Sequence, residues 1–270
     1  MNPSVWGITM VVDEEDIIGY TLSHLLSQGL DGIVIADNMS KDRTRSILEG
    51  LSDRYPGRII IVDDNELAYH QSAKMTELGH QAAEHGAEIV IPFDADELVY
   101  STVPGKTVVD LLGESKVEAV AIPMWNHYCT LSDVPGEINP YRRMPWMLKN
   151  PSTLGKAAYR YSADYTVAAG NHQILDHGVL VPGEDIGLAL RHFAWRDEDQ
   201  WIRKIIRGSR AMIAAPDIPR STCLHWREYG EALAEKGVEA LKDHYRKYFT
   251  FGLNPTDKMI LDPAPYTGEL

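Results

Sequence analysis

The first hundred residues alternate between short apolar runs and segments in which apolar residues recur at helical spacing. The runs are continuous rather than alternating, which is typical of strands buried on both faces. Strand followed by helix, repeated to a fourth strand, predicts a parallel sheet covered by helices on both sides. The predicted strands are 5–12, 31–38, 58–64 and 87–97, and the predicted helices are 17–29, 39–51 and 69–86.

The pattern changes after Tyr100. A short helix, a long strand and a loop-rich stretch follow, and then strands lead to an amphipathic helix that begins near Arg196. We predict one α/β domain over 1–215 and a helical extension over 216–270. The corresponding segments are 107–115 (helix), 117–128 (strand), 129–155 (loop), 156–161, 165–175 and 186–195 (strands), and two helices that begin at 196 and 228.

Composition sets broad limits on function. With 44% hydrophobic and 24% charged residues, the chain can form a sizeable core and is not expected to be disordered. A formal net charge of −13 argues against wrapping duplex nucleic acid or lying on an anionic membrane. No apolar run approaches the roughly 18 residues of a membrane span, and no signal-peptide pattern is seen. We therefore expect a cytoplasmic protein without a membrane span.

Acidic side chains follow each of the four predicted strands. In parallel sheets, ligands bind outside the carboxyl ends of the strands, so these residues predict a site along one edge. Asp94 and Asp96 are two positions apart in an extended segment and can point to the same side. Two carboxylates suit Mg²⁺ or Mn²⁺, although an isolated D-x-D is more often a solvated turn. The strand ends are Val12 to Glu15, Asp37 with Asn38, Asp63 with Asp64, and Asp94 to Glu97.

Several motifs carry a family resemblance. VVDEED, ADNMSKDRT and QSAKMTELGHQAAEHGAEIVIPFDADE, with GNHQIL and LRHFAWRDEDQWIRKIIRG further on, resemble family 2-like glycosyltransferases of the GT-A fold, in the branch with a D-x-D-E motif. The resemblance implies a metal-dependent enzyme that moves a sugar, with inversion, from a nucleotide diphosphate to an acceptor hydroxyl. UDP-sugar is the default donor. It also divides the domain into a nucleotide-binding half, 1–100, and an acceptor-binding half, 101–215.

The resemblance also implies roles for single residues. Asp94 and Asp96 would hold Mn²⁺ or Mg²⁺ against the diphosphate, and His192 would complete the metal site. A lone histidine is otherwise more often a hydrogen-bonded core residue. Asp185, the second residue of an E-D pair, is the favoured catalytic base, with His172 as the alternative. The predicted donor-binding residues are Val12, Asp13, Glu15, Asp37, Asn38, Lys74, Asp94 and Ala95.

Two other functions stay open. A nucleotidyltransferase or phosphoryl-transfer enzyme would also use clustered carboxylates and a metal. It should carry a phosphate loop rich in glycine and basic residues after the first strand, where this chain has DEED, and no G-x-G-x-x-G or P-loop motif is found. A non-catalytic carbohydrate-binding protein on a degenerate GT-A scaffold is the third reading, and the intact D-x-D-E argues against it.

The acceptor and the assembly are left open by the sequence. A glycan, a protein side chain, a lipid-linked sugar and a modified nucleobase all remain candidates, with Trp125 and His127 as possible contacts. Duplex DNA would require an exposed basic strip on the helix after Arg196. A homo-oligomer is a further possibility, in which aromatic residues of the last helix contact a second copy. The basic strip is Arg203, Lys204, Arg207 and Arg210, and the aromatic residues are Tyr245, Tyr248 and Phe249.

Overall fold

The structure is a computed structural model that describes residues 3–220, 222–249 and 257–268. Fifteen strands and seven α-helices lie in these ranges. The strands are β1 (Val5–Val11), β2 (Gly32–Asp37), β3 (Ile59–Asp63), β4 (Ile89–Pro92), β5 (Glu97–Ser101), β6 (Ala119–Ile122), β7 (Met124–Asn126), β8 (Trp146–Leu148), β9 (Lys156–Arg160), β10 (Tyr165–Val167), β11 (Ile174–Asp176), β12 (Val179–Leu180), β13 (Gly183–Glu184), β14 (Leu188–His192) and β15 (Met259–Leu261). The helices are α1 (Ile18–Ser27), α2 (Thr44–Arg54), α3 (Gln71–Glu84), α4 (Val108–Glu114), α5 (Pro140–Arg143), α6 (Glu198–Ile213) and α7 (Leu224–Tyr248).

A seven-stranded sheet forms the centre of the molecule, in the order β13-β6-β9-β4-β1-β2-β3. Strands β1 to β4 are mutually parallel, as the sequence predicted, and β9 is antiparallel to both of its neighbours. One face packs the core around Leu22 and Phe93, and the other packs Ile8 and Val34 against Met75 and Leu78 of α3. Burial on both faces explains why the strands read as continuous apolar runs.

The acidic residues before α1 do not belong to that helix. Helix α1 begins at Ile18 and has no acidic residue in its first turn. They occupy the connection from β1, where Asp13 has a positive φ of 50°. Gly29 and Gly86 follow α1 and α3 with φ of 95°, a conformation that glycine adopts without strain, so both helices end where predicted.

A second sheet, β5-β14-β7, continues the chain beyond β4. The predicted strand 117–128 is divided at Pro123, which has no N–H to donate. β6 therefore stays in the large sheet, whereas β7 pairs with β14. β14 is also antiparallel to β5, in a register that sets His192 opposite Glu97. The split strand thus brings the end of β14 next to the D-x-D-E segment.

The last described segments pack back on the same chain. Tyr245 and Phe249 of the α7 region are buried against Trp201 of α6, while Tyr248 is exposed. The homo-oligomer stays a prediction. β15 pairs with β8, and Asp262 binds the buried Arg191 guanidinium at 2.5 Å. The domain boundary at residue 216 stays a prediction. Within the described ranges, no helix combines the length and apolarity that a membrane span needs.

Candidate active site

The acidic ends of β1 and β4 meet beneath helix α6. The two strands are neighbours in the sheet, so their carboxyl ends lie side by side. Lys204 Nζ, from α6, is 2.6 Å from Asp96 Oδ2 and 3.7 Å from Glu14 Oε1. One ammonium group therefore contacts both strand ends, which would repel each other without it.

Asp96 is almost completely buried, at 2% exposure, in a cationic surrounding. Besides Lys204, Arg196 Nη1 lies 3.6 Å from Oδ2, and His192 Nε2 lies 3.7 Å from Oδ1. Burial raises the pKa of this carboxyl, but the positive charges of Lys204 and Arg196 outweigh burial and hold the pKa well below its usual range. Asp96 is therefore a carboxylate at physiological pH.

His192 is oriented by a neighbouring amide. Its Nδ1 lies 2.7 Å from Asn126 Oδ1, an oxygen that can only accept, so Nδ1 carries the proton and donates it. Nε2 is left with its lone pair directed at the Asp96 side. Burial lowers the pKa of His192 to about 4, which keeps the ring neutral. A neutral imidazole oriented through its other nitrogen is the usual form of a metal-ligating histidine.

Asp94 is placed differently from Asp96. Its Oδ2 is 2.7 Å from Lys156 Nζ, and its Oδ1 accepts a hydrogen bond of 2.9 Å from Asn171 Nδ2. Both oxygens are thus engaged by protein groups. In the described part of the chain, no three His, Cys, Asp or Glu side chains are grouped to hold a metal. Of the three expected metal ligands, the structure brings Asp96 and His192 together, while Asp94 faces Lys156.

Lys156 connects Asp94 to Glu97. Its buried ammonium lies 3.0 Å from Glu97 Oε1, and the other oxygen of Glu97 accepts from the Asp94 main-chain N–H at 2.9 Å. Burial raises the pKa of Glu97 to about 8. The positive charge of Lys156 opposes this rise, and the negative charges of Asp94 and Asp96 add to it. Through its contacts with the Asp94 main chain and with Lys156, Glu97 stabilises the turn that contains Asp94 and Asp96.

Helix α6 turns one basic face toward the strand ends. Arg207 donates to Asp13 Oδ2 and to the Val12 carbonyl, each at 2.8 Å, and lies one helical turn after Lys204. Arg203 and Arg210 face solvent. The exposed basic strip that duplex DNA would require is therefore not formed, because its two central residues, Lys204 and Arg207, point inward. Charged side chains form one cluster around the strand ends, in which acidic groups outnumber basic ones. The acidic members are Asp13, Glu14, Asp16, Asp94, Asp96 and Glu97, and the basic members are Lys156, Arg196, Lys204 and Arg207.

Arg196 fixes the connection after β1. Its guanidinium is fully buried and binds Asp16 at 2.6 and 2.8 Å as well as Glu14. Neighbouring Glu15 is instead half-exposed and pairs with Arg43 at 3.0 Å. Ala95, another predicted donor contact, is buried, and its carbonyl accepts from a threonine hydroxyl of α1. Only the main chain of Ala95 can therefore contribute to a binding site.

The ends of β2 and β3 form a second group along the same edge. Asp37 accepts from the main-chain N–H of Ser40 at 3.2 Å, so it orders the turn after β2 as well as lining the edge. Asn38 Nδ2 and Lys74 Nζ both donate to Asp64 Oδ2, at 2.9 and 2.6 Å. Lys74 thus lies next to Asn38, another predicted donor-binding residue, where both contact Asp64 after β3.

The two candidate bases lie in different places. Asp185 is exposed before β14, and its Oδ1 accepts from the main-chain N–H of Gly187. His192 is at the other end of β14, which spans about 13 Å from Leu188 at 3.3 Å per residue. The assignment of Asp185 as the catalytic base stays a prediction. His172 directly follows Asn171, the residue that binds Asp94.

His127 is part of the core. It is 3% exposed, stacks on Phe193 at 4.1 Å between ring centres, and lies 2.9 Å from the Met144 carbonyl through Nδ1. It is therefore not the acceptor contact that we expected. Trp125 is half-buried beside Arg191 in the second sheet.

A sequence comparison assigns the family. Residues 8–146, just over half of the chain, match the family model described as Glycosyl transferase family 2. The chain belongs to glycosyl transferase family 2. It is a glycosyltransferase that uses a nucleotide sugar, and the predicted mostly parallel sheet of the GT-A class is confirmed. A search of curated protein sequences finds no match.

Solved structures similar to this glycosyltransferase are distant. Residues 1–349 of S. aureus TarS in complex with UDP align at 10% identity, covering 96% of each chain with a TM-score of 0.40. Glucosyl-3-phosphoglycerate synthase from Mycobacterium tuberculosis, in complex with Mn²⁺, UDP and glucosyl-3-phosphoglycerate, aligns at 13% identity over 58% of this chain and 57% of that chain, with a TM-score of 0.32. The family assignment rests on the sequence match alone.

Sequence reasoning did not identify several residues at this glycosyltransferase site. Lys156 opens a strand whose next three residues, Ala157, Ala158 and Tyr159, are buried, and a lysine in a buried strand is a signal that could have been used. Lys204 and Arg207 share a helical face with apolar neighbours, which also predicts an inward orientation. Asn126 and Asn171 gave no comparable signal, since their partners are distant in the sequence.

Proposed function

We propose that this family member transfers a hexosyl group from a UDP-sugar to an acceptor hydroxyl, with inversion and with Mn²⁺ or Mg²⁺ at Asp96 and His192. The observation that carries the proposal is the pairing of an ionised, buried Asp96 with the lone pair of His192 Nε2 at the carboxyl edge of the sheet. The resemblance of the D-x-D-E segment to family 2-like glycosyltransferases supports UDP as the donor nucleotide.

The donor set fits a divalent cation. A carboxylate oxygen and an imidazole nitrogen are ligands that Mn²⁺ accepts, and the excess of acidic groups in the cluster favours a cation there. When bound, such an ion stabilises the negative charge of the departing diphosphate. Asp94 would bind the donor rather than the metal, because Lys156 and Asn171 already hold its two oxygens.

Basic residues of α6 would hold the diphosphate. Lys204 lies between Asp96 and Glu14, and its ammonium can reach a phosphate oxygen placed over the strand ends. Arg207 sits one turn further along the same face. Opposite charges positioned before reaction stabilise the developing negative charge without reorganisation. The nucleoside would lie over the ends of β1 and β2, among Val12, Asp13, Glu15, Asp37, Asn38 and Lys74.

His172 is the base that the geometry favours. Nδ1 lies 2.6 Å from the Gly155 carbonyl and must donate to it, which leaves Nε2 free to accept a proton. Burial lowers the pKa of His172, so the neutral form prevails at physiological pH. The acceptor oxygen would bond to the anomeric carbon as its proton passes to Nε2 and the bond to the diphosphate breaks.

Calorimetry with UDP tests the proposal. We expect Mn²⁺-dependent UDP binding by the native chain and loss of the metal dependence in Asp96→Asn. His192→Gln, which keeps a polar side chain, should weaken UDP binding in Mn²⁺ at least tenfold. Asp164→Asn, at an exposed position outside the cluster, serves as the matched control and should bind as the native chain does.

UDP binding of the same strength with and without Mn²⁺ would show that the metal assignment is wrong. Absence of UDP binding under both conditions would refute the proposed donor. A hydrolysis screen of UDP-, GDP- and dTDP-sugars would then identify the nucleotide, and the anomeric configuration of the product would decide between inversion and retention.

A further inference from the structure

A groove of about 660 Å³ opens beside the site, between α3 and the segment that follows α6. Its floor and one wall come from the first half of α3, and β10 closes one side. This volume lies within the range of small-molecule sites, roughly 300–1,000 Å³. The described residues that line it are Tyr69, His70, Gln71, Ser72, Ala73, Thr76, Glu77, His80, Thr166, Ala169, Ile218, Pro219 and Thr222.

A single residue, Gly170, connects the inner end of the groove to the carboxyl edge of the sheet. Gln71 Oε1, at the groove, accepts from the Gly170 N–H at 2.7 Å, and the Gly170 carbonyl accepts from Lys156 Nζ at 2.8 Å. Lys156 in turn binds Asp94 at 2.7 Å. His172 packs on the same glycine, since a Cβ at Gly170 would lie 2.5 Å from His172 Nε2. The candidate base therefore packs on the glycine that lies between the groove and the site.

Tyr69 gives a second link between the groove and the D-x-D segment. Its hydroxyl donates to Gln71 Oε1 at 2.7 Å. Burial raises the pKa of this hydroxyl, and the nearby Cys223 and Asp94 raise it further. The groove thus lies next to the D-x-D segment and runs along α3.

The lining is uncharged or acidic. Among the described lining residues there is no lysine or arginine, and Glu77 is the one carboxylate. His70 is turned toward Asp217 at 3.3 Å between Nε2 and Oδ1. An anionic ligand would therefore meet Glu77 without a lysine or arginine to balance its charge. Hydroxyl groups alternate with the apolar surfaces of Ala73, Ala169 and Pro219, which matches the hydroxyls and C–H faces of a sugar.

We propose that this groove binds the acceptor, and that the acceptor is an uncharged saccharide whose reactive hydroxyl lies at the Gly170 end beside His172. The inference rests on the proposed function, because it takes the D-x-D edge to be the donor site. A phosphorylated or uronic acid acceptor is disfavoured by the absence of lysine and arginine from the described lining. The groove continues along α3, so it has room for a saccharide of more than one sugar unit.

Filling the groove tests the assignment. Ala73 is exposed on α3 and lines the groove, so Ala73→Trp should obstruct it without disturbing the core. Thr166→Trp obstructs it from the β10 wall and provides an independent second variant. Glu84→Trp, at an exposed position of α3 outside the lining, is the matched control.

The probes are uncharged trisaccharides of glucose, galactose, mannose and N-acetylglucosamine, and a galacturonate trimer, each tested by saturation-transfer NMR in the presence of UDP and Mn²⁺. We expect at least one uncharged trisaccharide to bind the native chain and Glu84→Trp, with at least tenfold weaker binding by Ala73→Trp and Thr166→Trp. The galacturonate trimer should not bind.

The inference is overturned if no uncharged trisaccharide binds, if only the galacturonate trimer binds, or if both groove variants bind as the native chain does. Calorimetric UDP binding separates this failure from failure of the proposed function. All three variants should bind UDP like the native chain if the donor site is correct, whereas a native chain that does not bind UDP refutes the function itself.

Discussion

At the residue scale, the site consists of buried charges that hold one another in place. Asp96 is surrounded by Lys204, Arg196 and His192, and Asp94 is held by Lys156. Buried charges are costly unless paired, so each partner restricts the others to one arrangement. This arrangement leaves His192 Nε2 and the open side of the D-x-D segment for ligands. His172, whose Nδ1 binds a carbonyl, also keeps a free nitrogen lone pair, at Nε2.

His172→Gln should therefore lower the rate of transfer by roughly 10² to 10⁴, the usual contribution of a general base. UDP affinity should be unchanged, because the histidine lies on the acceptor side of Asp94. Steady-state kinetics should show the loss in kcat, and calorimetry should show native UDP binding.

Asp185→Asn is the informative comparison for that experiment, since Asp185 is exposed at the far end of β14. It should retain the native transfer rate. If Asp185→Asn loses activity and His172→Gln does not, the assignment of the base is reversed.

At the element scale, helix α6 determines how the strand ends can be used. The helix places Lys204 and Arg207 over β1 and β4 while its opposite face carries Arg203 and Arg210 into solvent. Trp201 and Ile205, on the apolar side, anchor it to α7. The helix is thus both a cover for the core and the source of the cations at the carboxyl edge.

Replacing one inward cation should weaken donor binding. We expect Lys204→Gln to reduce UDP affinity in Mn²⁺ roughly 10- to 100-fold, since a hydrogen bond to a charged group contributes about 1.5–3 kcal/mol. Arg203→Gln, one position earlier on the exposed face, removes the same charge and should change UDP affinity less than twofold. Equal losses in the two variants, measured by calorimetry, would point to net charge rather than to position.

At the scale of the whole molecule, the chain closes on itself through its last described segment. β15 extends β8, and Asp262 satisfies Arg191, which lies next to His192 in β14. Tyr266 packs on His24 and Tyr141. The C-terminal residues thus support the second sheet and, through it, the histidine side of the site.

The buried histidines make the stability of the molecule depend on pH. Burial lowers the pKa of His24 and of His127 to about 4, from an ordinary value of 6.5. Between these values the unfolded chain takes up protons that the folded chain does not. The contribution of these two histidines to the free energy of unfolding should therefore be largest above pH 6.5 and fall as the pH is lowered to about 4, by up to about 3 kcal/mol per histidine at 1.36 kcal/mol per pKa unit.

Urea unfolding at pH 7 and pH 4.5 measures this dependence. His24→Gln retains a donor for the Val99 carbonyl and should show a smaller loss of stability at the lower pH. His177→Gln, at an exposed side chain, should behave as the native chain. Identical pH dependence in His24→Gln and the native chain would contradict the prediction.

The sequence determined the local elements and the parallel arrangement of the first four strands, because continuous apolar runs and helical spacing report burial directly. β1 to β4, α1 to α3 and the strand after Gly187 were all predicted from these patterns. The acidic strand ends, including Asp94 and Asp96, followed from parallel topology. These features depend on residues close together in the chain, for which side-chain period and topology are sufficient.

Only the tertiary structure decided which side chains meet. Lys156 is 62 residues from Asp94, Lys204 is 108 from Asp96, and Asn126 is 66 from His192, so no local spacing could pair them. The same holds for the exposure of Asp185 before β14 and for His127, which packs against Phe193. Pairing across the sheet and the docking of α6 depend on packing of the whole chain, and packing places these charges.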